Sequence, residues 1–252
     1  MNKIRNFVKL PLRVVKLIAT RHRYNHLVIH RRSITDSIPP ALLVPLFCWR
    51  SKNALRRPSN LAIVLIHNRT KKTLMERSLD YLGITDYTVL RLPPLTPGKW
   101  RHTMKTTAMC EFLASNACHA EYILYVDADD ALMCGDPATA ISALESADCD
   151  MLVSADSWAQ YHGLDRAKEW ALSIAPKHGP ANINTGVYIA RAEFLREFLG
   201  AVSAYVTDNG ANIPGLPPDR VSGRGDQIIF RFLAPDFYPR IKIDHAQRLA
   251  IR

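Results

Sequence analysis

Hydrophobic positions along the chain fall into two alternating patterns. Short apolar runs, typical of buried strands, are separated by stretches in which apolar residues recur at helical spacing. The predicted strands span Leu61 to His67, Tyr87 to Leu92, Tyr122 to Val126, Asp150 to Ser154, the region near Val187 to Ala190, and a last stretch that ends at Asp244. The predicted helices span Thr70 to Leu82, Lys105 to Leu113, a segment that follows Asp136 and Pro137, and Ala192 to about Tyr205. Strands that alternate with helices predict an α/β fold with a mostly parallel central sheet flanked by helices.

Composition indicates the size of the domain and the redox compartment of the protein. The 252 residues, 48% of them hydrophobic, are enough for one large domain with a substantial core. The five cysteines are scattered, without the short spacings that bind zinc, and we interpret them as reduced. An uninterrupted apolar signal-peptide core is also absent from the N-terminus. Both features predict a cytoplasmic location.

Positive charge is concentrated at one end of the chain. Residues 1–59 contain 13 Lys or Arg and a single acidic residue, whereas residues 60–252 contain 20 Lys or Arg and 22 acidic residues. The predicted organisation is therefore a basic, partly amphipathic N-terminal arm (1–59) followed by a near-neutral domain (60–252). Within the arm, the apolar run from Ile38 to Trp49 is too short and too rich in proline to span a bilayer, although it could dip into an interface.

Three classes of partner are open to such an arm. Apolar residues between Ile4 and Ile18 fall on one side of a helix and basic residues on the other, although Pro11 would kink or shorten that helix. We expect the arm to bind an anionic membrane surface, which places the protein peripherally at the inner face of the membrane. Nucleic acid is not expected, because the positive charges alternate with aliphatic residues rather than stacking aromatics. A basic leader that packs on its own domain remains the alternative.

The strongest chemical signal is an acidic motif, which we define as Asp127, Asp129 and Asp130. It follows directly on the apolar run from Tyr122 to Val126, and ligands in open α/β sheets bind at the carboxyl ends of strands. Three crowded carboxylates repel one another unless a divalent cation lies among them. Mg²⁺ or Mn²⁺ held in this way keeps positions for phosphate oxygens, which indicates a nucleotide diphosphate. A solvated acidic loop and a phosphatase with an aspartyl nucleophile are the alternatives.

Several segments together carry a family resemblance. YVDADDAL around the acidic motif, DMLVSADSW from Asp150, NINTGVYIA from Asn182, GDQIIF from Gly225 and KIDHAQRL from Lys242 occur in an order that resembles glycosyltransferases of the GT-A (Rossmann-like) fold. More narrowly, the chain is similar to the glycosyltransferase domains of lysyl hydroxylases and the related collagen-type galactosyl- and glucosyltransferases. The resemblance covers roughly residues 60–250. It implies a metal-dependent transferase that uses a UDP-sugar.

The resemblance also implies a metal site. Asp127 and Asp130 match its carboxylate ligands, and Asp129 is either a third ligand or a contact to the ribose. His245 matches a distant ligating histidine, and a neutral imidazole suits Mn²⁺ better than Mg²⁺. Its neighbour Asp244 is expected to orient the ring. The alternative for His245 is a structural hydrogen-bonding residue.

The remaining candidates belong to the donor and the acceptor. Asn184 and Asp226 are predicted at the sugar end of the pocket, with Asp156 binding donor or acceptor; these three are the predicted catalytic residues. The alternatives are turn chemistry beside Gly186 for Asn184 and a helix N-terminal position for Asp226. Lys105 is expected to contact a phosphate, with a solvated helix lysine as the alternative. The uracil and ribose are assigned to His67, Asn68 and Arg69. Trp158 and Tyr161 are candidates for stacking on the acceptor, with a role in the core or in a lid as the alternative.

The predicted function is transfer of a hexose from a UDP-sugar to a hydroxyl acceptor in a glycan, a lipid-linked molecule or a protein. Where the resembled family has two adjacent aspartates, this chain has Gly225 before Asp226. That departure favours the alternative of a non-catalytic nucleotide-sugar-binding protein. An aspartyl-nucleophile phosphatase is a more distant alternative, because it gives Asp226 and His245 no role.

Overall fold

A computed structural model describes residues 27–30, 40–48, 55–93, 103–157, 164–177, 179–209 and 225–251. The predicted helix between Ile4 and Ile18 and the candidates Trp158 and Tyr161 lie outside these residues. The strands are β1 (Val28–His30), β2 (Leu61–His67), β3 (Thr88–Arg91), β4 (Tyr122–Val126), β5 (Ala131–Met133), β6 (Met151–Asp156), β7 (Asn182–Arg191), β8 (Ile241–Asp244) and β9 (Ala250–Ile251). The helices are α1 (Pro40–Cys48), α2 (Leu74–Tyr81), α3 (Thr103–Ala114), α4 (Ala138–Ala147), α5 (Asp165–Ile174), α6 (Ala192–Asn209) and α7 (Gly225–Leu233), with a short 3-10 helix at Ala234–Phe237.

Six strands form a central sheet in the order β3-β2-β4-β7-β6-β8. Strand β7 runs antiparallel to both of its neighbours, and the other five strands share one direction. The predicted α/β class, with a mostly parallel sheet flanked by helices, is confirmed. The bounds of β2 and β4 are those that the apolar runs predict.

Burial on both faces explains why the central strands are continuous apolar runs rather than alternating ones. Along β4, Leu124 belongs to one core cluster, whereas Ile123 and Tyr125 belong to a second cluster across the sheet. The first cluster packs against α1, α2 and α4, and the second packs against α3, α5, α6 and α7. Two helical layers therefore cover the sheet.

Helix α2 shows how local sequence fixes an element near the site. Thr73 caps the helix by accepting a hydrogen bond from the backbone N–H of Glu76, and the Glu76 carboxylate accepts one from the backbone N–H of Thr73. Because of this reciprocal capping box, the helix begins directly after Thr73, later than the predicted start at Thr70. The preceding loop is thereby left to form part of the site.

A second, three-stranded sheet with the order β5-β1-β9 lies beside the first. Its strand β1 and the helix α1 come from the part of the sequence that the charge pattern assigns to the arm. Val28, Ile29, Leu43 and Phe47 have no exposed surface and belong to the core cluster that also contains α2. Residues 27–30 and 40–48 are therefore part of the folded domain, which begins before the predicted boundary at residue 60. The expectation that the run around α1 dips into a membrane interface is wrong for these buried side chains.

No helix within the described residues is both long enough and apolar enough to cross a membrane.

Candidate functional site

The strand directions bring the predicted site residues to one edge of the central sheet. The carboxyl ends of β2, β4, β6 and β8 lie there, and so does the amino end of β7, because that strand runs the opposite way. In register, Asp156 pairs with Asn182, and Ser154 pairs with Asp244. Residues far apart in the sequence thus end at the same place.

An open cleft of about 480 Å³ lies at this edge, and we call it the acidic cleft. It is lined by the acidic motif and by residues from the end of β2 and from α3: Ile66, His67, Asn68, Arg69, Lys105, Asp127, Ala128, Asp129 and Asp130. The three predicted carboxylates and the residues predicted to hold the nucleotide therefore share one cavity. Their association was inferred from separate segments of the sequence.

Lys105 forms a largely buried ion pair in the acidic cleft. Its Nζ donates to Oδ1 of Asp127 at 2.7 Å, and the two side chains are 15% and 26% exposed. The hydroxyl of Tyr125 donates to the same oxygen at 2.9 Å. Burial alone lowers the pKa of Lys105, but the negative charges of Asp127 and Asp226 outweigh it and raise that pKa well above its usual range. The surrounding carboxylates therefore favour the charged form of Lys105.

Arg69 forms the second ion pair. Its Nε and Nη2 donate to Oδ2 of Asp129 at 2.9 and 2.7 Å. The side chains are 60% and 50% exposed, so water screens this pair and its contribution to stability is small. Two carboxylates of the acidic motif are thus paired with basic side chains of the chain itself.

His67 holds the loop that carries Arg69. Its Nδ1 accepts a hydrogen bond from the backbone N–H of Arg69 at 3.1 Å, and its Nε2 lies 3.3 Å from Oε2 of Glu76. Burial lowers the pKa of His67, although the nearby Glu76 charge opposes that effect. Both ring nitrogens thus face protein groups, which gives His67 a structural role at the cleft wall in addition to the predicted contact with the nucleotide.

Asn184 connects β7 to the acidic motif through the backbone. Its Oδ1 accepts a hydrogen bond from the N–H of Gly186 at 2.8 Å, and the carbonyl of Gly186 accepts one from the N–H of Asp127 at 2.7 Å. Nδ2 of Asn184 lies 3.4 Å from Oδ2 of Asp156. Asn184 and Asp156 are both buried. The side-chain bond to the backbone near Gly186 that was the alternative for Asn184 is therefore present, within β7 rather than in a turn, and it positions the segment that carries Asp127.

Asp226 lies in the first turn of α7, as its helix-terminal alternative requires. Asp226 also lines a narrow pocket of about 10 Å³, which shares Lys105 with the acidic cleft and includes Tyr125, Thr185 and Tyr188. Burial raises the pKa of Tyr188, and the charge of Asp226 raises it further. Lys105 thus lies between the acidic motif and the helix that carries Asp226.

His245 follows β8 at the same edge, and its Nδ1 lies 2.9 Å from the carbonyl oxygen of Pro180. A carbonyl only accepts, so Nδ1 carries the proton of a neutral ring and Nε2 keeps a lone pair, which suits a metal ligand. The expectation that Asp244 orients this ring is wrong. Oδ2 of Asp244 accepts instead from the backbone N–H of Leu249 at 2.6 Å.

The predicted metal ligands are brought together only in part. The acidic motif lines the acidic cleft, whereas His245 is not among the residues that line it. Within the described part of the chain, no three His, Cys, Asp or Glu side chains form a group arranged to hold a metal ion. The set of carboxylate oxygens and an imidazole nitrogen nevertheless suits Mn²⁺ or Mg²⁺ by its chemistry. The metal site stays a prediction.

Sequence reasoning missed two polar contacts that organise the site. Tyr125 belongs to the apolar run that predicts β4, and its hydroxyl also donates a hydrogen bond to Asp127. Arg231 of α7 is 1% exposed, and its Nε and Nη2 donate to the carbonyl of Ile183 at 3.0 and 2.7 Å. An arginine among apolar residues of an amphipathic helix was the available signal for such an anchor.

Comparisons with known proteins give distant structural likenesses. No family model matches the chain, and no curated protein matches it. A glycosyltransferase involved in the glycosylation of the major capsid of PBCV-1 is 14% identical, with a TM-score of 0.42, over 75% of this chain and 92% of that one. Mouse xyloside xylosyltransferase 1 in its apo form is 10% identical, with a TM-score of 0.45, over 81% of this chain and 80% of that one. The functional assignment therefore rests on the residues of this chain.

Proposed function

We propose that the protein is a metal-dependent glycosyltransferase that moves a hexose from a UDP-sugar to a hydroxyl acceptor. The observation that carries this proposal is the acidic cleft, in which the acidic motif shares one cavity with Arg69 and Lys105 at the carboxyl edge of the sheet. Carboxylates for a cation and basic groups for phosphates are the two requirements of a nucleotide-diphosphate site. The ordered motifs that resemble GT-A glycosyltransferases support the same function.

The acidic motif would hold Mn²⁺ or Mg²⁺, with His245 as a further ligand. When bound, the ion supplies positive charge that stabilises the departing UDP. Asp129 either joins the ligand set or contacts the ribose. The hydrogen bond from Gly186 to Asn184 helps to place Asp127 before any ligand arrives, so part of the site is preorganised.

Basic side chains of the cleft would bind the pyrophosphate. Lys105 and Arg69 carry positive charge at the cleft wall, and Arg69 has the planar donors that suit phosphate. Asn68 and His67 lie at the end of β2, next to the proposed position of the uracil and ribose. The protein thus contributes charge at the leaving group and orientation at the base.

Asp226, Asn184 and Asp156 would serve the sugar end. Asp226 is partly exposed and lines the pocket next to Lys105, which suits a carboxylate that accepts a proton or hydrogen-bonds a sugar hydroxyl. Asn184 and Asp156 are buried and contact each other, which favours a positioning role for them. Asp226 is therefore the residue that we expect to meet the reacting atoms.

The N-terminal arm would bind an anionic membrane surface at the inner face of the membrane. Its basic residues support this part of the proposal, each adding on the order of 1 kcal/mol near a charged surface. Because β1 and α1 are buried in the domain, the membrane-binding part is expected before residue 27.

The test is release of UDP from a panel of UDP-sugars with Mn²⁺ and simple hydroxyl acceptors. We expect turnover with at least one donor, loss of turnover in EDTA, and a fall of at least about 100-fold in Asp130→Asn and His245→Ala. Asp136→Asn is a matched control, since Asp136 follows the motif but lies outside the cleft, where its Oδ1 accepts a hydrogen bond from the backbone N–H of Ala138 that an asparagine oxygen can also accept. Full turnover in Asp130→Asn would refute the metal role. Binding of a UDP-sugar without any turnover would favour the non-catalytic alternative, for which Gly225 is the motivating departure.

A further inference from the structure

Two carboxylates of the acidic cleft hold cations that belong to the chain itself. Asp127 is paired with Lys105, and Asp129 is paired with Arg69, both with a closest N–O distance of 2.7 Å. A divalent ion that enters the acidic motif must therefore meet positive charge that is already in place. Like charges at such distances oppose each other, so the basic groups and the ion cannot hold the same carboxylates independently.

The two pairs differ in how strongly they resist an incoming ion. The Lys105 pair is mostly buried, whereas both members of the Arg69 pair are at least half exposed. Water weakens the exposed pair much more than the buried one. Tyr125 donates to the carboxylate oxygen that Lys105 holds, which fixes that oxygen further. Of these two pairs, the Lys105 pair is therefore the stronger competitor for an incoming ion.

We propose that Lys105 is an internal counter-ion that competes with the divalent metal for Asp127. In the metal-free protein its ammonium group neutralises the carboxylate, and metal entry releases it towards the phosphates of the nucleotide. This inference rests on the proposed function and adds that the metal binds before Lys105 contacts the phosphates. Since the metal frees Lys105 for the phosphates, each ligand strengthens the binding of the other, and the coupling is reciprocal.

The consequence is an unusual prediction for a basic residue in a binding site. Removing the charge with Lys105→Met should tighten Mn²⁺ binding in the absence of nucleotide by roughly tenfold or more, because the competitor is gone. The same change should reduce the factor by which UDP strengthens Mn²⁺ binding. A merely structural lysine would weaken the site or leave it unchanged.

The experiment measures free Mn²⁺ by electron paramagnetic resonance during titration of the full chain, with and without UDP. Lys105→Gln is a second uncharged variant that keeps a hydrogen-bond donor, and Lys105→Arg keeps the charge and should behave like the wild type. Arg69→Gln should tighten binding by a few-fold at most, since its pair is exposed. Lys72→Met removes a lysine paired with Asp80 on α2 and is the matched control. Thermal unfolding identifies the variants that are folded.

The outcomes separate this inference from the proposed function. Tighter Mn²⁺ binding by folded Lys105→Met or Lys105→Gln, with reduced coupling to UDP, is the expected result. Unchanged or weaker Mn²⁺ binding in both variants, while the wild type binds Mn²⁺ with UDP, would overturn the inference alone. If the wild type binds no Mn²⁺ even with UDP, the metal-dependent function fails as well.

Discussion

Replacing Asp127 by asparagine tests the electrostatics of the acidic cleft without any ligand. The substitution keeps the shape of the side chain but removes the charge that faces Lys105 at 2.7 Å. Hydrogen bonds to charged groups contribute about 1.5–3 kcal/mol, and breaking a fully buried ion pair costs about 3–5 kcal/mol. The side chains of Lys105 and Asp127 are 15% and 26% exposed, so water weakens their pair relative to a fully buried one. We therefore expect Asp127→Asn to lower the free energy of unfolding by about 2 kcal/mol.

Urea denaturation of the wild type, Asp127→Asn, Lys105→Met and the double variant measures this cost and its origin. If the pair is responsible, the double variant is destabilised by less than the sum of the single variants, with a coupling of about 1–2 kcal/mol. Asp129→Asn is the matched control, because its exposed pair with Arg69 should contribute less than about 1 kcal/mol. A change below about 0.5 kcal/mol in Asp127→Asn, or additive single variants, would refute the electrostatic reasoning.

Three further predictions test the fold around the site. Thr73→Ala removes the side-chain cap of α2 and should lower the free energy of unfolding by about 1 kcal/mol in urea, whereas Thr107→Ala on the exposed face of α3 should not; equal effects would contradict the role of the cap. Burial keeps the pKa of His67 below its ordinary value near 6.5, so the unfolded chain binds the proton more readily and the free energy of unfolding should fall as the pH drops below about 6.5. Urea midpoints measured against pH should show a smaller fall in His67→Gln than in the wild type. Identical profiles would contradict the assignment of this fall to His67. Deletion of residues 1–26 should leave the thermal transition intact while reducing flotation with anionic vesicles, whereas deletion of residues 1–59 should destabilise the domain because it removes β1 and α1. Equal melting temperatures of the two truncated chains would contradict the domain boundary. Equal flotation of the intact chain and the 1–26 deletion would reject membrane binding by the arm.

The central strands were predictable because their physics is local. Leu61–His67 and Tyr122–Val126 are continuous apolar runs bounded by polar residues, and burial on both faces leaves no other pattern for them. The convergence of the acidic motif with the end of β2 and with Lys105 was also predictable, since parallel strands end at a common edge.

Other parts of the fold depend on contacts that no local pattern reveals. Strands β5 and β9 are three and two residues long, too short to show a period, so the second sheet was missed. The basic residues around β1 and α1 predict a separate arm. The apolar side chains of these two elements are nevertheless buried in the core. The direction of β7 is set by its neighbours, and that direction places Asn184 at the site.

The details of the site were the least predictable, because they depend on which neighbour a polar group finds. The sequence predicts that Asp244 orients His245. In the structure the carbonyl of Pro180 contacts the ring instead, and Asp244 accepts a hydrogen bond from the backbone N–H of Leu249. The pairing of Lys105 with Asp127 depends on where the first turn of α3 lies relative to the residue that follows β4. Ion pairs of this kind arise from tertiary packing rather than from spacing along the chain.

The most direct test of the account is a crystal structure of the full chain with UDP and Mn²⁺, using anomalous scattering to locate the metal. We expect a manganese peak in coordination contact with carboxylates of the acidic motif and a pyrophosphate in the cleft beside Arg69 and Lys105. A nucleotide bound elsewhere, or manganese without contact to Asp127 or Asp130, would contradict it.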